Sequence, residues 1–205
     1  MSALLALDVA LLLPPDARQR ALRLSAALPA SESHEPAAPK PAAKGGFRLD
    51  AGHLPHITLT QLFVRVEEID AALERIDETL RGERPLSVHV TGGGEGHSSV
   101  WMAVERTDAI ASLHERLMES LRGLERPGGT AAAFFEGSAR VGDVAWVTGY
   151  RLKSSLSAYH PHVTLGYASE PPVIEPFAFE ATTVAACHLG RFCSCRRVLR
   201  SWELA

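Results

Sequence analysis

Two five-residue segments of this chain are near copies of each other: Pro55-His56-Ile57-Thr58-Leu59 and Pro161-His162-Val163-Thr164-Leu165. In an extended strand, residues two apart share a face. Each copy therefore sets a His and a Thr on one side and two aliphatic side chains on the other. The aliphatic side needs a core, and the polar side stays open. A single His-x-Thr strand is commonplace on an exposed sheet face. Two copies, each opened by Pro and closed by Leu and lying in the two halves of a 205-residue chain, argue against coincidence, and the two strands can be placed side by side. So placed, they would line one cleft with two imidazoles and two hydroxyls.

The remaining elements follow from periodicity. Residues 1–13 are apolar apart from Ser2 and Asp8, and they resemble a leader segment. They lack a basic start and carry Asp8 inside the run, so they read as a buried strand. Pro15 and Asp16 suit a helix start, with Ala17, Ala21, Leu24 and Leu28 at helical steps before Pro29 stops it. Residues 30–46, rich in Ala, Pro, Ser, Glu and Lys, read as a flexible connection. Ile69, Leu73, Ile76 and Leu80 mark a second helix. Residues 87–91 and 98–104 read as strands around the turn Gly92-Gly93-Gly94-Glu95-Gly96. That run lacks the Gly-Lys-Ser/Thr of a phosphate loop and leads into a strand, so it reads as a hairpin. A third helix opens at Thr107 or Asp108 and buries Ile110, Leu113, Leu117, Leu121 and Leu124. Residues 126–142 form a second irregular, flexible insertion positioned to cover the site. Residues 144–159 are ambiguous between strand and helix, with helix preferred. After the second motif strand, which runs to Tyr167, two closing strands span about 179–189 and 193–204. The expected fold class is α+β in a single domain spanning residues 1–205.

Composition narrows the function. A net charge of −3 leaves no cationic excess to neutralise a run of phosphates, so extended duplex nucleic acid is not an expected partner. A nucleotide or an RNA end remains one. No segment has the apolar length of a membrane span, and three Cys without secretory context point to reduced thiols and a cytoplasmic protein. Oligomeric state is not legible.

The polar face of the paired motifs is a matched set for phosphodiester chemistry. Imidazole titrates near neutrality, so one ring can take a proton while its twin gives one. The Thr hydroxyls can donate to non-bridging phosphoryl oxygens as charge redistributes. The catalytic candidates are therefore His56 and His162, and the phosphate-binding candidates are Thr58 and Thr164. No metal or other cofactor is required.

On these motifs the chain resembles the 2H phosphoesterase superfamily, which includes bacterial 2′-5′ RNA ligase-like proteins and cyclic nucleotide phosphodiesterases. The resemblance implies two pseudo-symmetric lobes of antiparallel-rich sheet, with helices outside and one motif from each lobe in a central cleft. It also implies that His162 is the base and His56 the acid. The expected activity is cleavage of a 2′,3′-cyclic phosphate or a 2′-5′ phosphodiester on a nucleotide or RNA end. The alternatives are 2′-5′ RNA ligation and a nucleotide or RNA-end binding module with little catalysis.

Other residues carry weaker signals. His160, two residues before His162, and Tyr167 are candidate substrate contacts, with Phe63 as a further stacking candidate and His53 as a flanking histidine. Arg48, Arg65, Arg151, Lys153 and Arg191 are candidate phosphate contacts. Cys187, His188, Cys193 and Cys195 can be drawn as a zinc site, but their spacing fits no common zinc pattern and favours packing.

Overall fold

A computed structural model of the chain describes residues 2–29, 47–49, 52–96 and 99–205. The connection expected at residues 30–46 lies outside them. The described residues form two four-stranded antiparallel sheets and four α-helices. In the first sheet β1 (Leu4–Leu12) lies between β2 (His56–Arg65) and β7 (Thr183–Leu189), and β8 (Cys195–Glu203) closes the far edge. In the second, β5 (His162–Tyr167), β4 (Ser99–Val104), β3 (Leu86–Gly96) and β6 (Phe177–Ala181) lie side by side. The motif strands β2 and β5 are edge strands, and they pack against each other where the sheets meet.

Three of the four helices cover the outer faces. α2 (Ile69–Leu80) and α3 (Asp108–Leu121) pack on the first sheet, while α1 (Pro15–Ala27) crosses to the second and packs on β5. The sequence reading placed Leu24 on the buried line of α1. The structure buries Ser25 instead, because its hydroxyl donates to the Leu165 carbonyl at 2.6 Å and accepts from the Leu49 amide at 2.8 Å. The ambiguous stretch is largely helical: α4 (Val141–Lys153) starts where the Asp143 carboxylate accepts from the Arg140 amide at 2.9 Å and from its guanidinium at 2.6 Å. None of the described helices is long and apolar enough to cross a membrane.

Two sequence expectations need correction. The closing region holds three strands, not two, because the chain leaves the second sheet after Ala181 and enters the first at Thr183. The glycine run is not a turn. Gly92, Gly94 and Gly96 are paired strand residues opposite Ala103, Trp101 and Ser99. The reason is steric: the Trp101 indole lies flat across β3, and a Cβ at Gly94 would run into its ring.

The insertion at 126–142 is irregular, with 3-10 turns at Ala131–Ala133 and Phe135–Gly137. It is pinned by Phe134, buried edge-on against Phe63 with ring centroids 5.8 Å apart. Phe63 is therefore a core residue and is not free to stack on a substrate.

Gly94→Ala should destabilise the protein by about 1–3 kcal/mol through overpacking against Trp101, read as a lower urea midpoint. An unchanged midpoint would show that the indole has room to move.

Candidate active site

Each motif is followed by the same irregularity. Opposite β1, Ala10 pairs with Thr58 and Val9 with Thr60, so Leu59 is an extra residue in β2. Opposite β4, Trp101 pairs with Thr164 and Val100 with Gly166, so Leu165 is an extra residue in β5. A β-bulge of this kind shifts the strand's alternation by one residue. Gln61 therefore joins His56 and Thr58 on the cleft face, and Tyr167 joins His162 and Thr164. A helix side chain satisfies the carbonyl at each bulge: His114 of α3 bonds Leu59 O through Nδ1 at 2.5 Å, and Ser25 of α1 bonds Leu165 O. His114 Nε2 accepts from the Leu156 amide at 2.8 Å, which makes the ring a neutral, satisfied core histidine. Burial accordingly lowers its pKa. Tyr159, stacked on His114 at 3.9 Å, donates its hydroxyl to the Thr58 carbonyl at 2.9 Å. It stands three residues before His162, so it ties one motif to the other.

The two histidines are held alike. His56 Nδ1 bonds the Leu54 carbonyl at 2.7 Å, and His162 Nδ1 bonds the His160 carbonyl at 2.8 Å. In both rings Nδ1 is thus the donor, which leaves Nε2 as the nitrogen for chemistry. His160 contributes this carbonyl, while its own ring is exposed beside Trp101.

Their electrostatic settings differ. Asp8, fully buried on β1, lies with Oδ2 3.6 Å from His56 Nε2. The same oxygen accepts from Gln61 Nε2 at 2.6 Å and from the Thr58 hydroxyl at 3.1 Å, while Trp146 Nε1 holds the other end of Gln61 at 3.0 Å. Asp8 Oδ1 is buried with no hydrogen-bond partner among the described residues. Burial alone would discharge His56, but the adjacent Asp8 carboxylate, helped by the Leu54 carbonyl on Nδ1, outweighs it and raises the pKa to about 9. His162 has no such carboxylate. Burial, opposed by the His160 carbonyl and reinforced by the charges of His160 and His56, lowers its pKa to about 4. The two rings stand on strands that pack against each other where the sheets meet.

The threonines also diverge. The single hydroxyl proton of Thr58 goes to Asp8, whereas the Thr164 hydroxyl makes no hydrogen bond among the described residues. Trp101, tilted against His162 with centroids 5.1 Å apart, has a buried indole N–H without a hydrogen-bond partner among the described residues. Asp8, Gln61, Trp101 and Tyr159 escaped the sequence reading. Asp8 alone left a signal, as the one charge in an apolar strand.

The cysteine-rich tail does not converge as drawn. His188 Nε2 bonds the Ala133 carbonyl at 2.9 Å, and Cys193 Sγ points at the Asp143 carbonyl at 3.7 Å. A different set gathers, since Asp8, His56 and Cys195 bring an oxygen, a nitrogen and a sulfur within 4.8 Å of one another. This donor mix suits a zinc-like ion. Burial pushes the Cys195 thiol well up, which keeps it protonated. Of the candidate phosphate contacts, Arg151 is engaged by Glu125 and the Met118 carbonyl, and Arg65 lies 3.5 Å from Glu68 at the far end of β2.

With this geometry in place, the comparisons with known proteins are decisive on kinship. Residues 28–193 match the 2′-5′ RNA ligase superfamily. The chain belongs to that superfamily. The match covers both motifs and most of the chain. No curated protein matches by sequence. Among solved structures, TT0787 of Thermus thermophilus aligns at 18% identity and TM-score 0.60 over 98% of each chain. E. coli LigT complexed with 3′-AMP aligns at 18% identity and TM-score 0.60 over 98% of this chain and 99% of that one. The complex of LigT with ATP aligns at 18% identity and TM-score 0.57, over 100% of this chain and 99% of that one. At such identities the likeness establishes the two-lobe fold of the superfamily.

The two threonines should separate in a stability measurement. Thr58→Val removes a donor from a buried carboxylate and should cost about 1–3 kcal/mol. Thr164→Val, which breaks no internal bond, should leave the urea midpoint within error. Equal losses would mean that Thr164 is held by a partner.

Proposed function

We propose that the protein is a phosphoesterase that opens a 2′,3′-cyclic phosphate, or cleaves a 2′-5′ phosphodiester, on a nucleotide or RNA end by two-histidine acid–base catalysis. The observation that carries this reading is the opposite electrostatic setting of two otherwise equivalent imidazoles. With pKa values near 9 and 4, His56 is protonated and His162 neutral throughout the neutral range. His162 Nε2, its lone pair free because Nδ1 carries the proton, takes a proton from water. The water oxygen bonds to phosphorus as the bond to the ribose oxygen breaks, and His56 Nε2–H gives its proton to that oxygen. The Thr164 hydroxyl donates to a non-bridging oxygen. Thr58 holds Asp8, which in turn keeps His56 charged. Crystals of E. coli LigT with 3′-AMP and with ATP support a nucleotide-bearing substrate. In the ligation direction the two histidines would exchange roles.

A second reading rests on Asp8, His56 and Cys195, which would carry a metal-activated water in place of the histidine pair. One experiment separates the two: a panel of 2′,3′-cyclic nucleotides, 2′-5′ dinucleotides and cyclic-phosphate-ended RNA, assayed with chelator present.

Turnover should survive EDTA, and His56→Ala and His162→Ala should each lose on the order of 100-fold or more with the fold intact. The pH profile of kcat/KM should be flat across neutrality. It should fall on the acid side as His162 gains a proton near pH 4, and on the alkaline side as His56 loses one near pH 9. Activity that vanishes with EDTA and returns with zinc would favour the metal reading instead.

A further inference from the structure

Neither motif histidine lines the cavity of about 300 Å³ that adjoins the cleft. Its walls include Phe47, Arg48, His53, Phe135, Arg191 and Arg196. It is tied to the active site from both sides. His53 precedes His56 by three residues, at most about 10 Å of chain, and Arg196 follows Cys195, whose Sγ belongs to the cluster around His56. From the second motif strand, Tyr167 meets Phe47 and Phe192 at the cavity edge, with ring centroids 6.1 and 5.4 Å apart.

The chemistry of the lining is distinct. Among the described residues that line it are three guanidinium groups and one carboxylate, Glu136, in a chain whose net charge is −3. Arg196 Nη1 lies 3.1 Å from His53 Nε2. Arginine has no acceptor, so it donates, and His53 is held neutral with its remaining proton on Nδ1. Arg196 also lies over the Phe135 ring at 5.9 Å. Arg48 is braced on the Ala26 carbonyl at 2.9 Å and on the Leu28 carbonyl. Phe135 is half-buried and is placed by its neighbour Phe134, which anchors the insertion. A half-buried aromatic face beside fixed guanidiniums is the chemistry that binds a base together with a phosphate.

We propose that this cavity takes the nucleotide next to the scissile one, so that the preferred substrate is an oligonucleotide end and not a cyclic mononucleotide. The proposal rests on the phosphoesterase reading for the position of the reacting phosphate. Ligand pockets run from roughly 300 Å³ upward, so the cavity has room for one further unit and not for an extended strand.

The test is equilibrium binding, which does not require turnover. A 3′-phosphorylated dinucleotide and a 3′-phosphorylated mononucleotide with the same terminal base are titrated into the full chain at low salt. The dinucleotide should bind at least about tenfold tighter. Arg196→Ala and Phe135→Ala should each bring the ratio of affinities toward one, and Arg196→Lys should retain part of it. The salt slope for the dinucleotide should drop by about one in Arg196→Ala. Should Arg196→Ala fail to fold, Arg191→Ala and Phe135→Ala carry the test. A wild-type ratio near one, or a ratio unchanged by every variant, would overturn the proposal. A tenfold ratio in a protein that turns over no phosphodiester would sink the catalytic reading and leave this one standing. Turnover of cyclic phosphates with no ratio would do the reverse.

Discussion

A carboxylate buried in the middle of a strand is the constraint around which this site is built. Asp8 has no exposed surface, and desolvating an ionised carboxylate is costly unless charge and hydrogen bonds compensate. Here they come from three residues of the neighbouring strand: His56, Thr58 and Gln61. Gln61 reaches Asp8 only because the bulge at Leu59 turns it to the cleft face. The bulge persists because His114 takes its free carbonyl, and Trp146 locks the Gln61 amide from α4. The carboxylate thereby coordinates the first motif with two helices.

The second lobe repeats the geometry without the charge. Its bulge falls at the equivalent leucine, and Ser25 replaces His114 as its cap. Gln61 corresponds to Tyr167, and the position of Asp8 on the central strand is taken by Ser99. In place of Ala10, the second lobe has Trp101 packed against His162 on a bed of glycines. Backbone symmetry gives two rings with the same donor arrangement, and side-chain asymmetry gives them opposite charge preferences. That combination is what acid–base catalysis by a pair of like residues needs.

The order of elements as far as the second motif strand, and the strand placement of both His-x-Thr segments, were legible because they rest on local rules: strand alternation, helical spacing of aliphatics, and punctuation by proline. What escaped depends on contacts distant in sequence. The bulges are set by which carbonyls His114 and Ser25 can reach, 55 and 140 residues away, and no local pattern announces that. The glycine run was misread because a hairpin turn and a strand beneath an indole use the same residue for different reasons: freedom of φ in one case, absence of a Cβ in the other. Thr58 and Thr164 looked interchangeable, since only Asp8 distinguishes them. Asp8 itself was visible as an anomaly in an apolar run, and its meaning became clear only when the strand paired with the motif.

The measurement that bears most directly on this asymmetry is an NMR titration of the imidazole side chains, assigned with His56→Ala and His162→Ala. In the wild type the His56 ring should titrate near pH 9 and His162 near pH 4. In Asp8→Asn, the His56 transition should fall well below pH 9 toward the ordinary imidazole value of about 6.5, because burial is then opposed only by the Leu54 carbonyl and the weaker influence of Cys187. Two rings that both titrate near 6.5 in the wild type, or a His56 transition unmoved by Asp8→Asn, would contradict the assignment of His56 as the standing acid.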